Sequence, residues 1–233
     1  MKNVIPLIVL AAMAGSAMAQ PGQDGSVRFE STSPYGGRNG GGEFIFSSVS
    51  GHDFGTFISF CIEINEHVTV GSTYTFDINT AAVSGGAGGP SPDPLDIRTA
   101  ALYAAFVNGT LAHYDYDNDG DGGLTGQLDR LYSAAALQAA IWEIEQERTV
   151  EQTESGSGSN AVRIRALARY YVDVLAQQLV DAGLGGNVRV LNLWNSNNGS
   201  AQDILAIIPL PQAGALAGLG LAGMAIRRRR QTL

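Results

Sequence analysis

The spacing of apolar side chains changes period twice along this chain, and that constrains the fold more than any other feature of the sequence. Between residues 27 and 79 apolar residues recur at alternate positions, in Val27–Glu30, Glu43–Val49, Gly55–Ile64 and Ser72–Asn79, which is the period of strands with one face in a core. Over residues 95–182 they recur at every third and fourth position, predicting helices over Leu95–Ala112, Asp129–Arg148 and Ala161–Ala182, the last stopped by Gly183. Alternation returns in Asn187–Trp194 and Asp203–Ile208. Glycine-rich breaks at Gly36–Gly42, Ser84–Pro94 and Ser155–Ser159 separate the segments, and no internal repeat is visible. Strands on both sides of a helical block predict an α+β domain, a β-sandwich or barrel carrying an inserted helical lobe of about three helices.

The two ends read differently from this body. The first residues carry one lysine, an apolar run from Val4 to Ala14 and the small-residue pattern Ala17-Met18-Ala19, the design of a secretory signal peptide over residues 1–19 cleaved after Ala19. At the other end Pro209 and Pro211 break the chain. An apolar run from Ala213 to Ile226 follows, and Arg227, Arg228, Arg229 and Arg230 close it. That run is expected to form a short transmembrane helix, below the ~20 residues a comfortable span needs, with the arginines held on the cytoplasmic side. Pro209-Leu210-Pro211, apolar helix and arginine cluster together resemble the PEP-CTERM class of sorting signals, here over residues 208–233. The resemblance implies an exported protein, held transiently at the inner membrane until an exosortase-type enzyme processes it, and then at the cell surface or in the extracellular matrix, as in a biofilm. The glutamate of the commonest version of that signal is absent.

Without its ends the chain keeps about 190 residues (20–207), enough for one domain. The ends hold five of the 14 basic residues and none of the 22 acidic ones, so nine basic side chains face 22 acidic ones in the body, none of them lysine. So acidic a surface argues against nucleic acid or anionic lipid as partner and is compatible with cations and with basic or neutral targets.

An exported chain with one cysteine poses a chemical question. In Thr56–Ile64 the residues Ile58, Phe60, Ile62 and Ile64 share one strand face. Phe57, Ser59, Cys61 and Glu63 share the other, which is expected to be the less apolar side. An odd cysteine outside the cell suggests intermolecular pairing or a thiol with its own chemistry, and the alternative is a buried small hydrophobe. The second predicted helix offers it a partner. Leu131, Ala134, Ala135, Gln138, Ile141 and Trp142 follow one helical stripe, which puts the Gln138 amide on an apolar face, where it is costly unless it finds partners. A hydrogen bond to neighbouring backbone would satisfy it equally well.

Phe60-Cys61-Ile62-Glu63, followed after helical sequence by Leu137-Gln138-Ala139-Ala140-Ile141-Trp142, resembles the two motifs of the Cys-Gln thioester domains of bacterial surface adhesins. In that family an aromatic-Cys-Ile-acid strand and a Thr-Gln-x-Ala-hydrophobic-Trp helix carry a thiol and a carboxamide that condense, with loss of ammonia, into an internal thioester. The resemblance implies that Cys61 is the thiol, that Gln138 is the acyl donor, and that Phe60, Ile141 and Trp142 shield the bond. It implies adhesion by covalent attachment to a surface amine or hydroxyl, and no enzymatic turnover. The departure is Leu137, where the family has threonine. A thioester is an activated acyl group, because its leaving thiol is far more acidic than an amine, and it survives in water only where packing excludes solvent. The alternative is a structural protein of an exopolysaccharide or biofilm matrix with an inert cysteine.

A further cluster is acidic. In residues 113–129 the aspartates Asp115, Asp117, Asp119 and Asp121 alternate around Gly120, matching the opening of a calcium loop, but its twelfth position is Gly126 and Asp129 would serve only with a different loop path. Calcium is the expected cofactor if the loop binds one, and a solvated acidic loop is the alternative. His52, His67 and His113 have no metal-ligand spacing with Cys61. A Cys-His hydrolase pairing with His67 or His113 lacks the electropositive setting that a catalytic thiolate needs. Glu143, Glu145, Glu147, Glu151 and Glu154 read as the exposed end of a helix and the loop beyond it, and the sequons at Asn108 and Asn198 read as loop residues.

Overall fold

The computed structural model describes residues 21–208. The expected signal cleavage at Ala19 and the sorting residues Pro209, Pro211 and Arg227 to Arg230 lie outside the described residues. Among those described, no helix is long and apolar enough to cross a membrane.

Six strands form one antiparallel sheet: β1 (Gly25–Arg38), β2 (Gly41–Gly51), β3 (Thr56–Ser59), β4 (Thr73–Asn79), β7 (Val188–Trp194) and β8 (Ile204–Ile207), in the order β3-β2-β1-β4-β7-β8. A small ladder of β5 (Ala81–Ala82) and β6 (Asp93–Pro94) brackets the glycine-rich loop. The two edges of the sheet curl towards each other and touch. Ser59 Oγ donates to Leu205 O at 2.7 Å and accepts from Leu205 N at 2.9 Å, Ile62 N donates to Asp203 O at 3.1 Å, and Cys61 bridges Ile204. The result is a nearly closed barrel, so the fold is α+β with a barrel-like sheet, as the change of period predicts.

The helical lobe is inserted between β6 and β7. It holds α1 (Ile97–Val107), α2 (Arg130–Ile144), α3 (Val150–Thr153), α4 (Ser159–Tyr170) and α5 (Ala176–Asp181). The third predicted helix is one rod made of α4, a π-helical segment at Tyr171–Leu175, and α5. The short α3 was not predicted, although its capping box, Thr149 with Gln152, stands in the sequence.

Three strands differ markedly in length from the sequence expectation, for local reasons. β1 and β2 run on to the tight turn at Asn39 and Gly40, whose φ values of 55° and 85° are those of an Asn-Gly hairpin turn. β3 stops at Ser59 instead of Ile64 because the chain there leaves β2 to reach β8.

Two apolar cores result, one on each side of the sheet. The barrel interior holds Val27, Phe29, Phe46, Phe76, Leu191 and Leu193, and Cys61 with them. The helical lobe holds Leu102, Phe106, Leu137, Ile141, Ile164 and Leu167, together with Phe60 and Ile62. The Cys61 side of its strand is therefore not the less apolar one, because curling of the sheet turns that side into a second core. Nor does α2 present a single stripe. Ser133 to Trp142 are all buried, as in a helix enclosed between two cores.

Candidate functional site

Three backbone elements meet at the side chain of Gln138. Asp129 caps α2, its carboxylate accepting from Tyr132 N, and the helix carries Gln138 to the seam between the cores. The β1–β2 turn delivers Gly41 and Gly42, and the chain crossing from β3 to β8 delivers Cys61. Gln138 Oε1 accepts from Gly42 N at 3.2 Å and from Cys61 N at 3.2 Å, while Gln138 Nε2 donates to Cys61 O at 2.8 Å. These partners fix which end of the amide is oxygen, since two N–H donors converge on one end and a carbonyl faces the other.

Both side chains are sealed: Cys61 is 2 % exposed and Gln138 is 1 % exposed. Backbone approach this close requires a glycine at 41, because a Cβ there would lie 2.4 Å from Gln138 Cγ and 2.8 Å from Trp142 Cη2. Gly42 needs its own freedom, with φ at 103°.

The chemistry of this arrangement follows from its charges. Two N–H groups on Oε1 polarise the carbonyl and make Cδ electrophilic, and they stand where an oxyanion would form if a nucleophile added to that carbon. The residue whose backbone brackets the amide, Cys61, also carries a nucleophile, its thiol. Burial pushes its pKa far up and Glu66 adds to the rise, against a smaller lowering by a backbone hydrogen bond. The thiol therefore keeps its proton at neutral pH and is no pre-ionised catalytic thiolate. None of the three histidines supplies a base: His52 stacks on Phe54, His113 packs on Tyr170, and His67 is exposed.

Of the residues expected to shield the pair, Trp142 shares the barrel core with Cys61, and its Nε1 has no partner among the described residues. Phe60 and Ile141 face the helical-lobe core. So does Leu137, so the position that departs from the family motif points away from the cysteine's core. The two donors on Oε1 come from backbone instead.

A second device holds the site together. Glu43, fully buried and next to Gly42 on β2, takes Arg130 at the start of α2 at 2.8 and 3.2 Å, Ser33 Oγ at 3.1 Å and Tyr114 O–H at 2.5 Å. This ion pair ties the first turn of α2 to the strand that carries Gly42, fixing how Gln138 meets its donors. Nothing in the sequence marks Glu43 and Arg130 as partners across 87 residues.

The glutamates beyond α2 correct the sequence reading, since Glu145, Glu147 and Glu154 are buried. They serve as acceptors for distant backbone and side chains. Glu145 takes Asp96 N, Glu147 takes Ile64 N and Ala87 N, and Glu154 takes Arg38 and Asn39 of the β1–β2 turn. Glu143 and Glu151 both pair with Arg169.

The four aspartates of the acidic loop do come together. Asp115, Asp117, Asp119 and Asp121 each offer an oxygen within 4.8 Å of the others. Asp115 is fully buried and accepts from Asn118 N, Asp119 N and Gly120 N, which shapes the loop. The charge of Asp119 first, with those of Asp115 and Asp117, raises the pKa of the exposed Asp121. Asp129 is occupied as the cap of α2 and does not join them.

A cavity of about 700 Å³ is lined by Phe57, Ile58, Tyr103, Phe106, Tyr116 and Arg130 among others, and neither Cys61 nor Gln138 lines it.

No family model and no curated protein matches the sequence. Two solved structures resemble the fold in part. One is the N-terminal thioester domain of the fibronectin-binding protein SfbI from Streptococcus pyogenes, at 12 % identity and a TM-score of 0.46, covering 79 % of this chain and 93 % of that one. The other is the N-terminal domain of the Streptococcus pyogenes pilus tip adhesin Cpa, at 14 % identity and a TM-score of 0.42, covering 84 % of this chain and 97 % of that one.

Proposed function

We propose that this chain is an exported, non-enzymatic surface protein in which Cys61 and Gln138 condense into an internal thioester that then bonds covalently to an amine or hydroxyl of a target. The observation that carries this reading is the meeting of Gly42 N–H and Cys61 N–H on Gln138 Oε1, beside the only cysteine of the chain. Cys61 Sγ attacks Gln138 Cδ, and charge collects on Oε1 between the two donors. The C–N bond then breaks, and the thiol proton leaves with the amide nitrogen as ammonia. In attachment the target amine attacks Cδ, the C–S bond breaks, and the amine proton passes to sulfur. Each molecule reacts once, so the protein is a reagent and not a catalyst. Burial of the pair keeps water from the bond.

Export by the N-terminal signal, transient anchoring in the inner membrane and processing by an exosortase-type enzyme complete the reading, with an amine- or hydroxyl-bearing surface or an exopolysaccharide as the target. Calcium is the cation the Asp115–Asp121 loop would take, supported by the convergence of its four carboxylates.

Intact mass tests the bond. The mature protein is expected to weigh less than its sequence by one ammonia, and Cys61→Ala to abolish the deficit. A wild-type protein of full mass with a titratable thiol after denaturation rules the bond out.

A further inference from the structure

The sealed site raises the question of what lets a nucleophile in. Directly after Cys61 the chain leaves its bridge to Ile204, and Ile64 and Val68 pack on the core that contains Cys61 and Trp142. Carboxylates fasten this segment. Glu147 accepts Ile64 N at 3.1 Å, and Glu66 accepts Asp203 N and Ser200 Oγ, each at 3.0 Å. One amide adds to them, Gln202 Nε2 donating to Glu63 O at 2.7 Å. Glu147 also takes Ala87 N at 3.0 Å, and Asp203 takes Val83 N at 2.7 Å, so the same groups hold the glycine-rich loop. That loop lies hard against them: a Cβ at Gly86 would fall 2.2 Å from Glu147 Oε1, and one at Gly89 would fall 1.9 Å from Asp93 Oδ2.

The cluster is therefore Glu63, Glu66, Asp93, Glu147 and Asp203, drawn from the crossing segment, β6, the end of α2 and the start of β8. Among the described residues none of the five makes an ion pair. Among the described residues His67 is the basic group that acts on Glu66, and Glu145, itself beside Asp96, adds further acid next to Asp93. Glu63 is 2 % exposed, and both its oxygens, like Asp203 Oδ1, have no hydrogen-bond partner among the described residues. The five are not gathered as metal ligands are. Among the described residues, carboxylate oxygens converge within 4.8 Å only at Asp115–Asp121. For a carboxylate as buried and unpartnered as that of Glu63, a proton is the remaining means of neutralisation.

We propose that Glu63, Glu66, Asp93 and Asp203, gathered about Glu147, form a proton-operated latch on segment 62–68, closed over the Cys61–Gln138 pair while these four hold their protons and released when they ionise. What the latch guards rests on the reading of that pair as a thioester, whereas the latch itself does not. Burial first, then Glu66 and the neighbouring acids, push Glu63 up to about 8. Burial first, then Glu66, push Asp203 up to about 7. Glu66 and Asp93 are raised for the same first reason. Because the folded protein binds these protons more tightly than the unfolded chain does, their stabilisation is complete at acid pH. It is lost as pH rises through about 7 to 8.

The test uses two readouts. In Cys61→Ala, which cannot form the bond, the melting temperature is expected to fall between about pH 6 and about pH 9 and hydrogen exchange in residues 62–68 to accelerate, while Cys61→Ala with Glu63→Gln reduces both changes and leaves the part carried by Asp203 and by the neighbouring Glu145. The rate of methylamine opening of the wild-type bond, divided by that of Glu63→Gln at the same pH to cancel ionisation of the amine, is expected to rise about tenfold over that range. Should Glu63→Gln fail to fold, Asp203→Asn is read in the same way. Identical pH profiles for Cys61→Ala and its double variant overturn the latch, even where the wild type shows the ammonia deficit. A wild type of full mass overturns the bond and leaves the melting comparison to judge the latch.

Discussion

Gly41→Ala adds one methyl group at the point where strand, helix and amide meet, and its effect can be worked from distances. The new Cβ would lie 2.4 Å from Gln138 Cγ, 2.9 Å from Gln138 Cδ and 2.8 Å from Trp142 Cη2. Carbon atoms in contact need about 3.5–4.0 Å, so the Gln138 stem must retreat by roughly 1 Å or more, or the β1–β2 turn must lift away. Either motion takes Oε1 out of reach of Gly42 N and Cys61 N, both of which already stand at 3.2 Å. Overpacking of this kind costs about 1–3 kcal/mol, which for a domain of this size lowers the melting temperature by about 2–12 °C. The chemical consequence is larger, because a carbonyl displaced by that amount loses both of its polarising donors. Intact mass of Gly41→Ala is expected to lack the ammonia deficit, and a thermal melt to show the loss of stability. Gly186→Ala, where a Cβ meets nothing within 4 Å, is the control and should match the wild type in both. A Gly41→Ala protein that forms the bond as completely as the wild type and melts at the same temperature would refute the placement of the amide.

Arg130→Ala leaves the Glu43 carboxylate buried without its cation, an expected loss of about 3–5 kcal/mol in urea denaturation, with slower bond formation as α2 loses its register on β2. An unchanged denaturation midpoint would count against that coupling. Gln138→Ala strands Gly42 N, Cys61 N and Cys61 O without partners, at about 1–3 kcal/mol for each buried group left unpaired, and should both destabilise the protein and restore full mass. Millimolar calcium is expected to raise the melting temperature through the Asp115–Asp121 loop, by the equivalent of about 2.7 kcal/mol when in hundredfold excess over its dissociation constant, and Asp119→Asn to shrink the effect. No shift with calcium would leave the loop as a solvated turn shaped by Asp115.

Much of the fold was legible because strand and helix periods are local properties of sequence. The six strands of the main sheet and the three long helical stretches are all written in the spacing of apolar residues, and the Asn39-Gly40 turn is written in its dipeptide. The ends of the elements were less legible. β3 stops early because its partner changes from β2 to β8, a pairing that joins residues some 140 positions apart. The glutamates after α2 were read as a solvated face because a run of acids on a helix end ordinarily is one. Their burial depends on backbone N–H groups at Ile64, Ala87 and Asp96 that only the folded chain brings to them.

The same division holds at the site. By itself the sequence determined that one thiol follows a strand, that one amide sits on a buried helix, and that the two belong to motifs resembling a thioester pair, since each of these is read within a few neighbouring residues. Only the tertiary structure decided that the amide oxygen meets two backbone donors, that glycine is required at 41, that Leu137 faces the other core, and that Arg130 and Glu43 hold the register. Each of these depends on the distance between groups carried by different elements. Such distances are set by how the curled sheet and the helical lobe pack together, and they leave no mark in the spacing of residues along the chain.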